Sequence, residues 1–158
     1  MENKPTICFD MDGTIANLYA NPNWLSQLHA HSARPYAIAK PMCNMQALAR
    51  RLNNLQRQGY RIAIISWLSK EPTEAYDAAV TEAKLHWLEK HLGSVRFDEI
   101  HIVAYGTPKS TLIQGYAILF DDEAPNRMEW AMAGKGVAYP PCLIMQTLQD
   151  LKKSKKIS

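Results

Sequence analysis

Asp10 and Asp12 stand two positions apart in Phe9-Asp10-Met11-Asp12-Gly13-Thr14, and a second acidic pair, Asp121-Asp122, follows far down the chain. Carboxylates this close are costly unless a proton or a cation holds them together. Magnesium is the natural cation, because it takes hard oxygen ligands and binds through one or two carboxylates plus phosphate. Each pair follows an apolar run, so each is delivered at the end of a strand. An isolated Asp-x-Asp is also what a surface turn carries, and Asp121-Asp122 also reads as a cap for a helix beginning near Glu123. The strand that leads in, and Gly13, which lets the chain turn sharply, favour a site. Ser66 ends another apolar run, where a hydroxyl and nearby N–H groups can hold a phosphoryl oxygen. Lys109, in Thr107-Pro108-Lys109-Ser110, can offset the charge of a phosphate beside a carboxylate nucleophile. Outside that setting these two are an ordinary turn serine and a solvated lysine.

The elements that must position these residues follow from the apolar pattern. Thr6–Asp10, Arg61–Ser66, Glu99–Val103, Tyr116–Asp121 and, more weakly, Gly136–Tyr139 are short runs bounded by polar residues. They read as buried strands. Between them, Asn44–Gln58 places Met45, Leu48, Ala49, Leu52 and Leu55 on one helical face, and Gly59 supplies a stop. Thr73–His91 repeats the pattern with Tyr76, Ala79, Val80, Ala83, Trp87 and Leu88. Glu123–Met132 and Leu143–Leu151 are shorter helices. Strands alternating with helices predict an α/β fold, a three-layer Rossmann-like parallel sheet covered on both faces. Ligands of such sheets bind beyond the carboxyl ends of the strands, where both aspartate pairs fall. Asn17–Met42 breaks the rhythm: it has no long helical pattern, only a short helix over Asn23–His31, and prolines at 22, 35 and 41. A segment of that length beside the first strand reads as functional, or as having structure of its own.

At this point the chain resembles the haloacid dehalogenase (HAD) superfamily. Asp10-Met11-Asp12-Gly13-Thr14 is similar to its DxDGT signature, Ser66 to its second motif, Lys109 to its third and Asp121-Asp122 to its fourth, in the family's order. The resemblance spans roughly residues 5–140 and implies a HAD-like core with 17–42 as a small cap insertion. It implies that Asp10 attacks phosphorus to form an aspartyl-phosphate, while Asp12 protonates the leaving oxygen and then activates water. Ser66 and Lys109 would bind the phosphate. The metal would be Mg2+, held by Asp10, the Asp12 backbone carbonyl and one of the last pair, Asp122 in preference to Asp121. The family often has an acid where this chain has Asn126, which leaves the outer metal shell open. An aspartate at position 12 points to phosphatases and phosphotransferases rather than dehalogenases or transport ATPases.

The insertion is the one segment available to choose a substrate. Trp24, Tyr36 and Tyr19 can stack on a base, while His29, His31, Arg34 and Lys40 can meet phosphate or ribose. Each of these also fits plain packing or surface. The small cap is loosely similar to deoxyribonucleotide 5′-phosphatases and to the 3′-phosphatase domains of polynucleotide kinases. The expectation is a small phosphorylated substrate such as a nucleotide, ahead of a nucleic-acid end. A non-catalytic module that keeps the carboxylates for metal or ligand binding is the alternative from another class.

Length and composition set the remaining bounds. The chain has 158 residues, 47% of them apolar, which suits a single domain over 1–158 with one core. Its formal charge of +3 gains from Lys152, Lys153, Lys155 and Lys156, so 152–158 reads as a frayed basic tail. Cys8, Cys43 and Cys142 show no metal or disulfide spacing and read as reduced. No apolar run approaches the roughly 18 residues of a membrane span, and Met1–Thr6 is polar. These features predict a cytoplasmic protein without a membrane partner.

Overall fold

The computed structural model describes residues 4–70 and 73–154. Its centre is β1 (Thr6–Phe9), whose four residues are all buried. β1 pairs in parallel with β4 (Arg61–Trp67) on one side and with β6 (Ala117–Phe120) on the other. β5 (Glu99–Val103) and β7 (Ala138–Tyr139) complete a sheet of order β5-β4-β1-β6-β7. Every pairing in it is parallel. Parallel neighbours need long connections, and helices supply most of them: α3 (Met45–Arg57), α4 (Glu74–Leu92) and α5 (Ala124–Met132), with α6 (Ile144–Ser154) closing the chain. The Asn44 side chain accepts from the Ala47 N–H at 3.0 Å, and the Thr73 hydroxyl from the Tyr76 N–H at 3.1 Å, so α3 and α4 start where their caps are.

Strand alternation sorts the core into two faces. Ile7, Phe9, Ile62, Ile64, Ile118 and Phe120 pack with Leu48, Leu52, Trp87, Leu88, Ile144 and Leu148, on the side of α3, α4 and α6. Their strand neighbours Cys8, Ala63, Ile65, Ala117 and Leu119 pack with Trp130 of α5. That second face carries smaller residues, which leaves room for an indole with no exposed surface, its N–H donating to the Ala117 carbonyl at 3.1 Å. The chain is therefore an α/β protein of three layers built on a Rossmann-like parallel sheet, as its apolar runs predict.

The insertion after β1 is more structured than its sequence suggests. β2 (Ala16–Asn17) and β3 (Lys40–Pro41) pair antiparallel and pin its two ends together. Between them lie α1 (Trp24–His29) and α2 (Arg34–Ile38). α2 packs on α4, and Leu18, Tyr36, Tyr76 and Val80 form a small core of their own. Three details depart from the sequence reading. Ala79 is exposed, and Lys84 takes a place on the buried stripe of α4. α2 covers a stretch with no predicted helix. Lys152 and Lys153 belong to the last turn of α6 rather than to a tail, while Lys155 and Lys156 lie outside the described residues.

Candidate active site

Because β1, β4 and β6 run parallel side by side, their carboxyl ends share one edge of the sheet. The residues that end or follow these strands, Asp10, Ser66 and Asp121, are brought to that edge. Asp10 is almost fully buried, and both of its oxygens are engaged. The Lys109 ammonium donates to Oδ1 and the Thr14 hydroxyl to Oδ2, at 2.8 and 2.9 Å. Lys109 also donates to Asp121 Oδ2 at 2.8 Å and to the Ile65 carbonyl at 3.2 Å, with its nitrogen 5.4 Å from the Trp67 ring centre. Burial alone would drive the Lys109 ammonium towards its neutral form, but the charges and hydrogen bonds of Asp10 and Asp121 win, and its pKa stands above the ordinary lysine value.

Asp10, Asp121 and Asp122 converge, each offering one oxygen within 4.8 Å of the others. The two late aspartates differ in what occupies them. Asp121 has no exposed surface and accepts from Lys109, from Asn126 at 3.2 Å and from the Glu123 N–H at 2.9 Å. It thus takes up the N–H of the residue that precedes α5, a helix with no side-chain cap of its own. Burial and the charge of Asp10 raise its pKa against the pull of Lys109. Asp122 is less enclosed and lines the cavity; its Oδ1 lies 3.3 Å from the Thr14 hydroxyl, whose oxygen accepts the Asp122 N–H at 3.1 Å. Burial, a hydrogen bond to Asp10 and the charges of Asp10 and Asp121 push its carboxyl up to about 8. Carboxylates held together against this cost are a donor set that a hard divalent cation fits, and Asn126 donates to Asp121 instead of adding a fourth acid.

Asp12 stands apart from that cluster. Its carboxylate pairs with the ammonium of Lys84, Oδ2 to Nζ, at 2.9 Å. Lys84 also donates to the Ser66 hydroxyl at 2.6 Å and to the Trp67 carbonyl at 2.8 Å. The strand end thus presents Ser66 as a buried hydroxyl tied to a lysine that the motifs do not contain. The sequence did hold a signal for Lys84: it falls four residues after Val80 and four before Leu88, in the middle of an apolar helical stripe.

A cavity of about 650 Å³ opens between the insertion and this edge. Asp10, Asp12, Asp122 and Lys109 are among its lining residues, together with Tyr19, Trp24, Tyr36 and Trp67. Two aromatic pairs belong to its wall. Tyr19 meets Trp24 edge-on at 5.1 Å, and Trp67 meets Tyr105 at 4.8 Å, with the Lys70 ammonium 5.0 Å from the Tyr105 ring. His29 also lines it. Arg34 is exposed and does not line the cavity, and His31 packs its ring 5.1 Å from Tyr76. Of the residues proposed from the insertion, Trp24 and Tyr36 reach the site and Arg34 does not. Burial and the charge of Asp12 raise the hydroxyl of Tyr36, so that ring keeps its proton at neutral pH.

No protein-family profile matches the chain, and no curated protein matches it in sequence. Among solved structures, the HAD domain of effector protein Lem4 from Legionella pneumophila is similar at 15% identity and a TM-score of 0.39, over 87% of this chain and 84% of that one.

Proposed function

We propose that this chain is a magnesium-dependent phosphomonoester hydrolase that acts through an aspartyl-phosphate on Asp10. The observation that carries the reading is the setting of Asp10 at the sheet edge. It lies on the cavity floor beside a buried ammonium, next to two further carboxylates and two positions before a fourth. In the first half of the reaction an Asp10 oxygen attacks phosphorus, the bond to the leaving oxygen breaks, and Asp12 gives that oxygen a proton. In the second half, water attacks the same phosphorus, Asp12 takes the water's proton, and the bond to Asp10 breaks to release phosphate. Lys109 balances the negative charge of nucleophile and phosphoryl group throughout, and Ser66 is proposed to donate its hydroxyl proton to a phosphoryl oxygen. Asp10, Asp122 and the Asp12 backbone carbonyl would hold Mg2+, which when bound would neutralise the carboxylates and draw charge from the phosphate. Asp121, already committed to Lys109, Asn126 and the Glu123 N–H, is the weaker ligand of the pair.

The aromatic pairs on either side of the cavity support a substrate with a planar ring, a nucleotide or a similar small phosphomonoester. The three cysteines are free thiols, in keeping with the cytoplasmic location proposed for it. Among the described residues no helix is long and apolar enough to cross a membrane.

The test is phosphate release from nucleoside 5′- and 3′-monophosphates, sugar phosphates, p-nitrophenyl phosphate and a 3′-phosphorylated oligonucleotide, each with magnesium and with EDTA. Wild type should release phosphate with magnesium alone, and Asp10→Asn should not, while keeping its circular dichroism spectrum. Preference for the oligonucleotide would turn the reading towards an end-processing phosphatase. Magnesium binding without release from any substrate would leave a non-catalytic metal-binding module.

A further inference from the structure

Lys84 is 1% exposed and lies on the apolar stripe of α4. A buried ammonium is tolerated when each of its protons has an acceptor. Here all three do: Asp12 Oδ2 at 2.9 Å, Ser66 Oγ at 2.6 Å and the Trp67 carbonyl at 2.8 Å. The Tyr36 ring closes over the same nitrogen at 5.0 Å. Three donors are all that an ammonium has. Lys84 therefore has none left for a substrate, and it is not among the residues lining the cavity. What it holds are two groups assigned to the chemistry. With Oδ2 of Asp12 pinned, Oδ1 accepts no hydrogen bond among the described residues and is the oxygen left to carry a proton. With its oxygen accepting from Lys84, the Ser66 hydroxyl must direct its own hydrogen elsewhere.

We propose that Lys84 is the positioning residue of the proton donor, fixing the orientation of Asp12 and stabilising the carboxylate that forms there as its proton leaves. The proposal rests on the phosphatase reading above. In the step concerned, the bond from Asp10 to phosphorus forms and the bond to the leaving oxygen breaks. The proton on Asp12 Oδ1 passes to that oxygen, and the electron pair it leaves behind stays on a carboxylate 2.9 Å from the Lys84 ammonium. Lys84 does this without touching substrate, from a helix that also holds the insertion in place.

Demand for that proton falls as the leaving group improves, and this separates a positioning role from a purely structural one. The experiment compares kcat/KM of wild type and Lys84→Met, with magnesium, across phosphomonoesters from a nucleoside 5′-monophosphate through substituted phenyl phosphates to p-nitrophenyl phosphate. The loss should be about 100-fold for the alkyl ester and within about threefold for p-nitrophenyl phosphate, a steeper dependence on leaving-group pKa than wild type. An equal loss across the series, or no loss, overturns the proposal. Lys84→Gln keeps neutral donors for the same acceptors and serves should Lys84→Met not fold; it must show the same steepening, and a slope equal to that of wild type overturns the proposal. A wild type without magnesium-dependent turnover, or an Asp10→Asn variant that retains it, removes the phosphatase reading itself and the inference with it.

Discussion

At Gly13 the backbone turns with φ of +80°, and a Cβ there would come within 2.4 Å of Asp122 Oδ2 and 2.9 Å of the Tyr19 ring. The turn that follows the first aspartate pair is thus pressed against the second, and only glycine allows both. Gly13→Ala should displace Asp122 and weaken magnesium binding by roughly 10–100-fold, read by titration of the metal against thermal stability. Asp122 also makes the metal response depend on pH. Between its unfolded value of about 3.9 and its native value of about 8, the folded chain keeps a proton that the unfolded chain has lost. Stability contributed by this group therefore falls as pH rises through that window. Magnesium must displace the same proton, so the rise in Tm that it produces should be larger at pH 8 than at pH 6, and an equal rise would contradict the assignment. Lys109 follows the same direction in a different window: its raised pKa keeps its contribution intact through neutral pH, to be lost only in alkali. Lys109→Met would leave Asp10 and Asp121 buried without their cation and should cost about 3–5 kcal/mol in urea denaturation without metal. Asp10, Asp12 and the late pair stood out in the sequence because the turn signature is local and strand ends are easily read, whereas Lys109 stood out only through the resemblance, since alone it reads as a solvated lysine. Lys84 was only half legible: its place between Val80 and Leu88 marks it as buried, but only the three-dimensional neighbourhood of Asp12 gives it acceptors.

At the scale of elements, the central strands were legible because a strand buried on both faces is a nearly unbroken apolar run, as in Thr6–Phe9 and Ala117–Phe120, while the edge strands β5 and β7 are only partly buried. Their boundaries shifted by a residue or two where the backbone leaves the ladder, so that Asp10 and Asp121 follow their strands rather than end them. α2 was hidden for a physical reason. At five residues, with a proline at its second position, it has no pattern to read, and its stability comes from packing on α4. The junction between α4 and the insertion also includes Trp87, which has no exposed surface and donates its indole N–H to the Ala39 carbonyl at 2.7 Å. Trp87→Ala should cost about 3–5 kcal/mol of unfolding free energy in urea denaturation, since it opens a cavity in the main core and orphans a carbonyl at the base of the insertion.

At the scale of the whole molecule, a rigid sheet edge carries the charges and a small, separately packed insertion faces it across the cavity. Neither part contains the aromatic wall alone: Tyr19 and Trp24 come from the insertion, Trp67 from the end of β4 and Tyr105 from the loop after β5. This division was not legible in the sequence, because Trp67 reads equally well as core, cap-facing or interfacial until the sheet is assembled. If a planar ring binds between the pairs, Trp67→Ala and Trp24→Ala should each raise KM for a nucleoside monophosphate about tenfold and leave kcat nearly unchanged. A fall in kcat at constant KM would place these rings elsewhere in the reaction. The ribbon of Ala16–Asn17 against Lys40–Pro41 has its own consequence. It makes the insertion leave and rejoin the core at one point, so the chain between its strands is a closed loop whose length the sheet does not sense. Doubling such a loop costs only about 0.6 kcal/mol of closure entropy, so a lineage could lengthen, trim or exchange this segment, and with it the substrate, while the catalytic edge stayed as it is.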